Sequence, residues 1–468
     1  MRGQHSRHFA FFFTRVARHF RDNVRYRTLY GSPYIQEVTG IAIAKTWVQA
    51  KNPHLSNMQQ NSEHTGHGLP AREHPLIVQS HLRWDFVWQR PQQLLSRFAR
   101  KAPVLFIEEP IFLDDASRDR IEITMPLRNI VRAIPRLRGE MRGDYDAAIA
   151  QVRELVLREI GPLGRLDGLF SNAVQWFYTP MPAPAMLGAF NEIGVVYDCM
   201  DELSQFRGAP ADLVRRERLL LANADVVFTG GYKLFTAKSA HHSNVHFFGC
   251  GVDVQHFSTA RSSDTSIPAD ARFESPVAGY FGVIDERLDY ELIRALAERH
   301  PELTVVMVGP TLKVDPDELP NAANIHWLGQ RSYEELPRYV KGFDVCLMPF
   351  AINEATEYIN PTKTLEYMAA GKPIVSTPVA DVVRNFTPIV TVADNVDDFV
   401  AAVMRDASSS DDTRIADGIE MASHSSWESI VGKMRALITG AVDEAPILTR
   451  VSAPAEVTRA RELELPGA

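Results

Sequence analysis

From residue 76 onward the chain alternates short apolar runs with stretches of helical periodicity, and that alternation restricts it to a parallel α/β architecture. Residues 76–80, 104–107, 195–197, 226–228 and 245–248 are strand-length runs rich in β-branched and aromatic residues, while 90–98, 212–222 and 232–238 repeat their apolar residues at helical spacing. Parallel neighbours need a crossover of about a dozen residues or more, which a helix supplies. The pattern stops over 249–275, where Gly, Asp, Ser and Thr occur without periodicity. It restarts with strands at 277–283, 303–308, 325–328 and 344–349 and helices at 288–299 and 333–341. Two doubly wound domains are expected, at 75–250 and 276–440, joined by a linker at 251–275. The stretch 114–165 mixes charged helical pieces with short strands such as 121–124 and is not placed more finely. Helices at 396–404, with Asn395 as N-cap, and at 427–438 close the second domain.

The 468 residues, 45% hydrophobic and 23% charged, suffice for two large cores. A formal net charge of −8 argues against a general nucleic-acid binder, which needs a basic face to neutralise phosphate. Cys199, Cys250 and Cys346 lie in apolar surroundings without metal-ligand spacing or a disulfide framework, so buried free thiols in a reducing cytosol are expected. No run reaches the roughly 18 apolar residues of a membrane span, and the cluster at 9–13 is too short for a signal-peptide core. Within residues 1–74, the first thirty positions set Arg2, Arg7, Arg15, Arg18, Arg21, Arg25 and Arg27 against one acid, Asp22. A basic amphipathic helix lying on anionic lipid would explain this, but a poorly ordered extension is preferred, because 54–74 is polar and aperiodic. Residues 441–468 are expected to be disordered. The expected location is cytoplasmic, with peripheral contact to the inner face of the plasma membrane left open.

The most informative stretch begins Asn360-Pro361-Thr362-Lys363-Thr364-Leu365-Glu366. Asn360 suits an N-cap and Pro361 the first helical position. Leu365, Met368 and Ala369 would face the core, Gly371 suits a left-handed C-terminal residue, and Pro373 prevents continuation. A short buried strand follows at 373–377. Together with the strand at 344–349 and the loop carrying Glu354 and Glu357, this builds a pocket beyond a strand's carboxyl end, where open α/β sheets bind ligands. Lys363 could add a charge to a phosphate, and Glu366 could accept two hydrogen bonds from a vicinal diol such as ribose. The pair suits a nucleoside diphosphate. Ordinary helix punctuation with a surface ion pair worth less than about 1 kcal/mol is the plain alternative.

No G-x-G-x-x-G follows the strand at 76–80, which argues against a dinucleotide enzyme. The loop after it carries His81, Arg83, Trp84, Asp85, Phe86 and Trp88 ahead of Arg90. These groups suit stacking on a sugar or binding an acceptor phosphate, and equally suit aromatic packing beneath a long loop. His81 is a candidate catalytic or acceptor-binding imidazole, though a lone histidine is usually structural. Asp198, Asp201 and Glu202 directly follow the strand at 195–197. Asp198 or Asp201 could act as general base toward an acceptor hydroxyl if burial raises its pKa. Helix capping is the alternative, favoured for Glu202.

These segments resemble GT-B glycosyltransferases. The 360–377 stretch is similar to the donor-site signature of a large retaining family, in which two glutamates stand with seven residues between them. Glu366 matches the second glutamate, which in the family holds the nucleotide ribose, while Tyr358 occupies the place of the first, with Glu357 one position away. The variant with Asn-Pro-x-Lys and Glu-Tyr before a Gly-Lys-Pro turn, seen in bacterial exopolysaccharide and cell-wall glycosyltransferases, is a closer match. The strings Trp84-Asp85-Phe86-x-x-Gln89-Arg90-Pro91-Gln92-Gln93 and Tyr197-Asp198-x-x-Asp201-Glu202 resemble the same group.

The resemblance, over roughly residues 75–440, implies a GT-B fold of two Rossmann-like domains facing across a cleft, acceptor-side first and donor-side second. It implies that Gly282 and Arg287 meet the donor diphosphate, with Asn360, Thr362, Lys363 and Glu366 completing the nucleotide site. Gly309-Pro310 would line the base pocket, and the last helix would return to the first domain. The implied activity is metal-independent transfer of a hexosyl group from a nucleotide sugar, as co-substrate without a separate cofactor, to a saccharide or lipid-linked acceptor. The departure at Tyr358 leaves retention and inversion both open. A nucleotide-sugar epimerase or sugar phosphorylase of the same fold, a non-catalytic nucleotide-sugar-binding partner in a polysaccharide complex, and, least favoured, an NAD-dependent enzyme are the alternatives.

Overall fold

The structure is a computed structural model and describes residues 73–444 except 115–117, 207, 354–355 and 410. The basic stretch before residue 73 and the segment from 445 onward lie outside the described residues.

The first sheet contains β1 (Leu76–Ser80), β2 (Val104–Glu108), β3 (Ile111–Leu113), β4 (Arg120–Leu127), β5 (Ile130–Arg138), β6 (Val174–Phe177), β7 (Gly194–Cys199), β8 (Val226–Thr229) and β9 (Val245–Phe247). Their order is β3-β5-β2-β1-β6-β7-β8-β9, with β4 antiparallel on β5 and the remaining pairs parallel. The strands β1, β2, β6, β7 and β8 are buried along their whole length, as expected for a parallel sheet covered on both faces. Helices α1 (Arg90–Phe98), α2 (Tyr145–Ile160), α3 (Ala183–Met186), α4 (Leu213–Asn223) and α5 (Tyr232–Ser239) accompany this sheet.

A short helix, α6 (Val254–Ser258), capped by Asp253, then leads to the second sheet. That sheet is made of β10 (Val277–Phe281), β11 (Thr304–Val308), β12 (Ile325–Gly329), β13 (Val345–Met348), β14 (Ile374–Ser376) and β15 (Thr391–Val392). All its pairs are parallel, in the order β12-β11-β10-β13-β14-β15. This is the doubly wound order, so the chain reverses direction across the sheet between β10 and β13, and ligands bind beyond the carboxyl ends there. Around it lie α7 (Tyr290–Arg299), α8 (Leu336–Lys341), α9 (Lys363–Ala369), α10 (Ala380–Phe386), α11 (Val396–Ser408) and α12 (Asp412–His424). Asn395 caps α11, its side chain accepting the Asp398 N–H at 2.9 Å.

The last helix, α13 (Trp427–Glu444), crosses back. It packs on α1, β7 and β8, and Trp427, Val431, Met434 and Ile438 share an apolar cluster with Leu94, Phe98, Val196 and Phe228.

Several elements differ from the sequence expectation. α13 continues to Glu444, so 441–444 are helical rather than tail. α9 begins at Lys363, two residues after Pro361, because Asn360 turns its side chain elsewhere. The stretch 249–275 contains α6, too short for periodicity to show. β5 hides behind Arg132, Pro135, Arg136 and Arg138, and β6 is four residues long with a buried Gln175 in it.

Candidate active site

The donor-side candidates grow from the carboxyl ends of β10 and β11. Gly282, with φ of 145°, and Gly309, with φ of 151°, adopt a backbone that L residues rarely take. They also touch, since a Cβ on Gly309 would lie 1.7 Å from the Gly282 carbonyl oxygen. A Cβ on Gly282 would lie 2.1 Å from Lys363 Cε and 2.6 Å from Nζ. The bare backbone of Gly282 is thus the surface on which the Lys363 amine rests, and Tyr280 places its ring centroid 5.5 Å from the same nitrogen.

Glu366 follows one turn later on α9 and is 6% exposed. Among the described residues, no hydrogen bond or ion pair takes its carboxylate or the Lys363 amine. Burial pushes the Glu366 carboxyl up to about 7 against the pull of Lys363, and burial lowers Lys363 against the pull of Glu366. A buried acid and a half-buried amine without hydrogen-bond partners leave their polar tips available to a ligand.

Arg287 is already engaged. Its Nε and Nη2 reach both oxygens of Asp285 at 2.7 to 3.1 Å, which leaves its outer edge for a phosphate. Burial works to lower its pKa, but Asp285 and then Asp201 outweigh that and raise it. Asn360 does not cap α9; its Nδ2 donates to the Gly230 carbonyl on the first half at 3.2 Å, and its buried Oδ1 has no partner. Thr362 sits at the N-cap position without capping, beside the Cys250 thiol, which donates to the Asn360 carbonyl at 2.9 Å. Residues 360–362 therefore join the two halves more than they face a ligand. Glu357 pairs with Lys233 of α5, and that amine lies 5.0 Å from the Tyr358 ring centroid, so this segment also turns toward the first half.

On the acceptor side the two aspartates separate. Asp198, at the end of β7, is fully buried, and Arg90 holds both its oxygens, through Nε at 3.1 and 3.0 Å and Nη2 at 2.9 Å. Arg90 Nη1 also donates to the Phe248 carbonyl at 2.8 Å. Asp198 is thus half of a structural ion pair rather than a base open to an acceptor hydroxyl. Asp201 is half-buried, and among the described residues nothing hydrogen-bonds its carboxylate. Burial raises its pKa against the pull of Arg287 and then Arg90. Asp201 and Arg287 therefore act on each other from opposite halves of the molecule.

His81 follows β1 with its buried Nδ1 unpartnered. Burial lowers it to about 4 despite the Tyr178 backbone, so it is a neutral imidazole at physiological pH and no reservoir of a proton. The aromatic loop is held by its own charges. Arg83 donates to Glu108 at 2.9 Å and to the Glu109 carbonyl at 2.7 Å, Asp85 pairs with Arg132, and Trp84 packs edge-on to Phe106 at 5.2 Å. Packing and ion pairs thus engage Arg83, Asp85 and Trp84 of this loop. Glu202 pairs with Lys238 at 2.7 Å, a structural role.

Sequence reasoning passed over three groups: Tyr280 beneath Lys363, Tyr333 near Glu366, and Glu109, whose carboxyl burial pushes up to about 7. Glu109 stands just past an apolar strand, the same signal that marked Asp198. Among the described residues, no three His, Cys, Asp or Glu side chains form a metal cradle.

Residues 276–407, which hold every donor-side candidate above, match the family model described as Glycosyl transferases group 1. A protein of Bacillus subtilis named "Putative teichuronic acid biosynthesis glycosyltransferase TuaH" is 27% identical over 311 residues, spanning 57% of this chain and 77% of that one. The chain carries a group 1 glycosyltransferase domain on a GT-B fold. Solved structures share both halves of the glycosyltransferase's fold. Sucrose-phosphate synthase from Thermosynechococcus elongatus superposes with a TM-score of 0.60 at 15% identity, covering 80% of this chain and 100% of that one. The E. coli trehalose-6-phosphate protein bound with UDP-2-fluoro glucose gives 0.57 at 12% identity, over 78% of this glycosyltransferase and 99% of its own chain. A UDP-forming trehalose-phosphate synthase from Burkholderia xenovorans, in complex with glucose-6-phosphate, gives 0.57 at 11% over the same shares.

Proposed function

We propose that this glycosyltransferase moves a hexosyl group from a nucleoside diphosphate to a hydroxyl of a saccharide or lipid-linked acceptor, in the synthesis of a surface polysaccharide. The observation that carries the reading is the half-buried Lys363 and the buried Glu366, neither with a hydrogen-bond partner among the described residues, beside the bare Gly282 backbone at the carboxyl ends of β10 and β13. Glu366 can accept the two hydroxyls of a ribose, while Lys363 and the outer edge of Arg287 can neutralise a diphosphate leaving group. Asp201, across from Arg287, is the acid placed to meet an acceptor hydroxyl from the first half. No separate cofactor and no metal enter this scheme, since two cations and preorganised backbone already stand at the phosphate end. The teichuronic acid name of the Bacillus relative supports a polysaccharide product, and the UDP-sugar and glucose-6-phosphate ligands of the solved relatives support a sugar donor and acceptor. Among the described residues no helix is long and apolar enough to cross a membrane. We place the enzyme in the cytoplasm, peripheral to the inner face of the membrane when the acceptor is lipid-linked.

A thermal-shift panel on the full chain with UDP, GDP, ADP, TDP and CMP, their sugars, NAD and NADP tests this. A ligand at about 100 times its Kd stabilises by about 2.7 kcal/mol. A shift with one nucleoside diphosphate and its sugar supports the reading; a shift with NAD or NADP alone, or none at all, overturns it.

A further inference from the structure

The helix α1 carries three polar residues on one face, Arg90, Gln93 and Arg97, at spacings of three and four. Each of them reaches beyond α1. Arg90 reaches the chain leaving β9 through the Phe248 carbonyl. Arg97 reaches Asp253 just before α6 at 3.2 Å and Glu428 of α13 at 2.7 Å. Gln93 reaches the second half: its Nε2 lies 2.7 Å from the hydroxyl of Tyr333.

The direction of this last bond is fixed by chemistry. Arg97 Nη1 lies 2.8 Å from Gln93 Oε1, and a guanidinium only donates. Gln93 Oε1 is therefore the acceptor, so Nε2 must donate, and the Tyr333 oxygen must accept. The Tyr333 proton is left pointing away from Gln93.

The ring itself cannot drift. It stacks on Trp88 of the first half at 5.8 Å and on His256 of α6 at 4.6 Å, with Phe257 edge-on at 5.7 Å. α6 in turn packs against α9, the helix of Glu366, and Phe257 stacks on Phe281, which meets Tyr367 at 5.0 Å. Burial and then the Glu366 carboxylate raise the pKa of the Tyr333 hydroxyl, so the two groups share one environment.

Building on the nucleotide reading above, we infer that Tyr333 is a second binding residue for the diol held by Glu366. Its hydroxyl donates to the ligand oxygen whose own proton goes to Glu366. Gln93 orients that hydroxyl from the opposite half, so the chain Arg97, Gln93, Tyr333, ligand and Glu366 closes only when the halves are docked. Gln93 is a positioning residue: it acts through Tyr333 and touches no ligand.

The test measures Kd by calorimetry for whichever of UDP, GDP and ADP binds the wild type, and for its 2′,3′-dideoxy form. Tyr333→Phe should weaken the ribonucleotide about tenfold and leave the dideoxy form unchanged, about 1.4 kcal/mol of lost interaction confined to the diol. Gln93→Leu should weaken the ribonucleotide in the same selective way, and adding it to Tyr333→Phe should cost nothing further, because both remove one coupled bond. Equal losses for both nucleotide forms mark a structural role and overturn the inference, as does wild-type ribonucleotide affinity in Tyr333→Phe. Independent, additive losses overturn the part assigned to Gln93. Wild-type protein that binds none of the three removes the nucleotide reading along with the inference, whereas normal wild-type binding with an unaffected Tyr333→Phe removes the inference alone.

Discussion

Arg90 and Asp198 form a two-toothed ion pair across 108 positions of sequence, with the carboxylate fully buried. Removing either partner leaves an uncompensated charge in the interior, which costs about 3–5 kcal/mol. Asp198→Asn and Arg90→Leu should each lower the unfolding free energy measured in urea by that amount, with little change in the nucleotide affinity of the folded fraction. A variant of normal stability with abolished transfer would return Asp198 to the catalytic role that its burial denies it.

Asp201→Asn is expected to behave the other way. Its carboxylate faces Arg287 rather than a structural partner, so stability should hold, donor affinity should change less than about threefold, and transfer should fall by about 100-fold, the lower end for losing a positioned base. Steady-state kinetics with the donor found by thermal shift decides this; an unaltered kcat would move the base elsewhere, with Glu109 the next acid to try.

Lys363→Ala and Glu366→Ala should each weaken nucleoside diphosphate binding about tenfold or more, or about 1.4 kcal/mol. Calorimetry reads this directly, and full affinity in both would dissolve the donor pocket.

The Glu366 carboxyl also sets a pH dependence. Its folded pKa, about 7, is raised from 4.5, so between those values the native state holds a proton the unfolded chain has lost. Stability contributed by Glu366 is therefore full below 4.5 and declines as pH rises toward about 7. Diol binding needs the ionised form and moves oppositely, weakening as pH falls through about 7. Glu366→Gln should flatten both trends in the ligand-free protein and in binding; a wild-type pH profile in that variant would assign the dependence to another group.

The glycine pair gives a sharper contrast. On Gly309 an added Cβ meets backbone, the Gly282 oxygen at 1.7 Å, whereas on Gly282 it meets the far end of Lys363 at 2.1 Å. Gly309→Ala should therefore disrupt folding by more than about 3 kcal/mol, the upper range for a single change. Gly282→Ala should be milder in stability and severe in nucleotide binding, since it displaces an amine from its seat. Thermal melts with and without nucleotide separate the two.

Much of this was readable before any coordinates, and the reasons differ by element. The Gly371 and Pro373 punctuation of α9 acts within a few residues, and Gly371 indeed takes φ of 70°, with the Gly371 and Lys372 amides closing on Met368 and Tyr367 at 2.9 and 3.1 Å. Glu366 is picked out by its place one turn after Lys363 and by likeness to a family. By contrast, β6 carries no local signature because its neighbours β1 and β7, not its own four residues, make it a strand. The roles of Asp198 and Asp201 could not be told apart either. Both follow the same strand, and what distinguishes them is Arg90, whose choice of partner is a tertiary fact.

The return of α13 reaches beyond architecture. Trp427 fills the core of the first sheet, yet it follows every strand of the second sheet in the chain. The first half therefore emerges with an apolar face uncovered and must wait until the whole second sheet has been synthesised, during which chaperones have a target. The same wiring dictates how chimaeras should be cut: exchanging donor specificity between relatives means moving 276–424 alone and leaving 427–444 with the half that it completes.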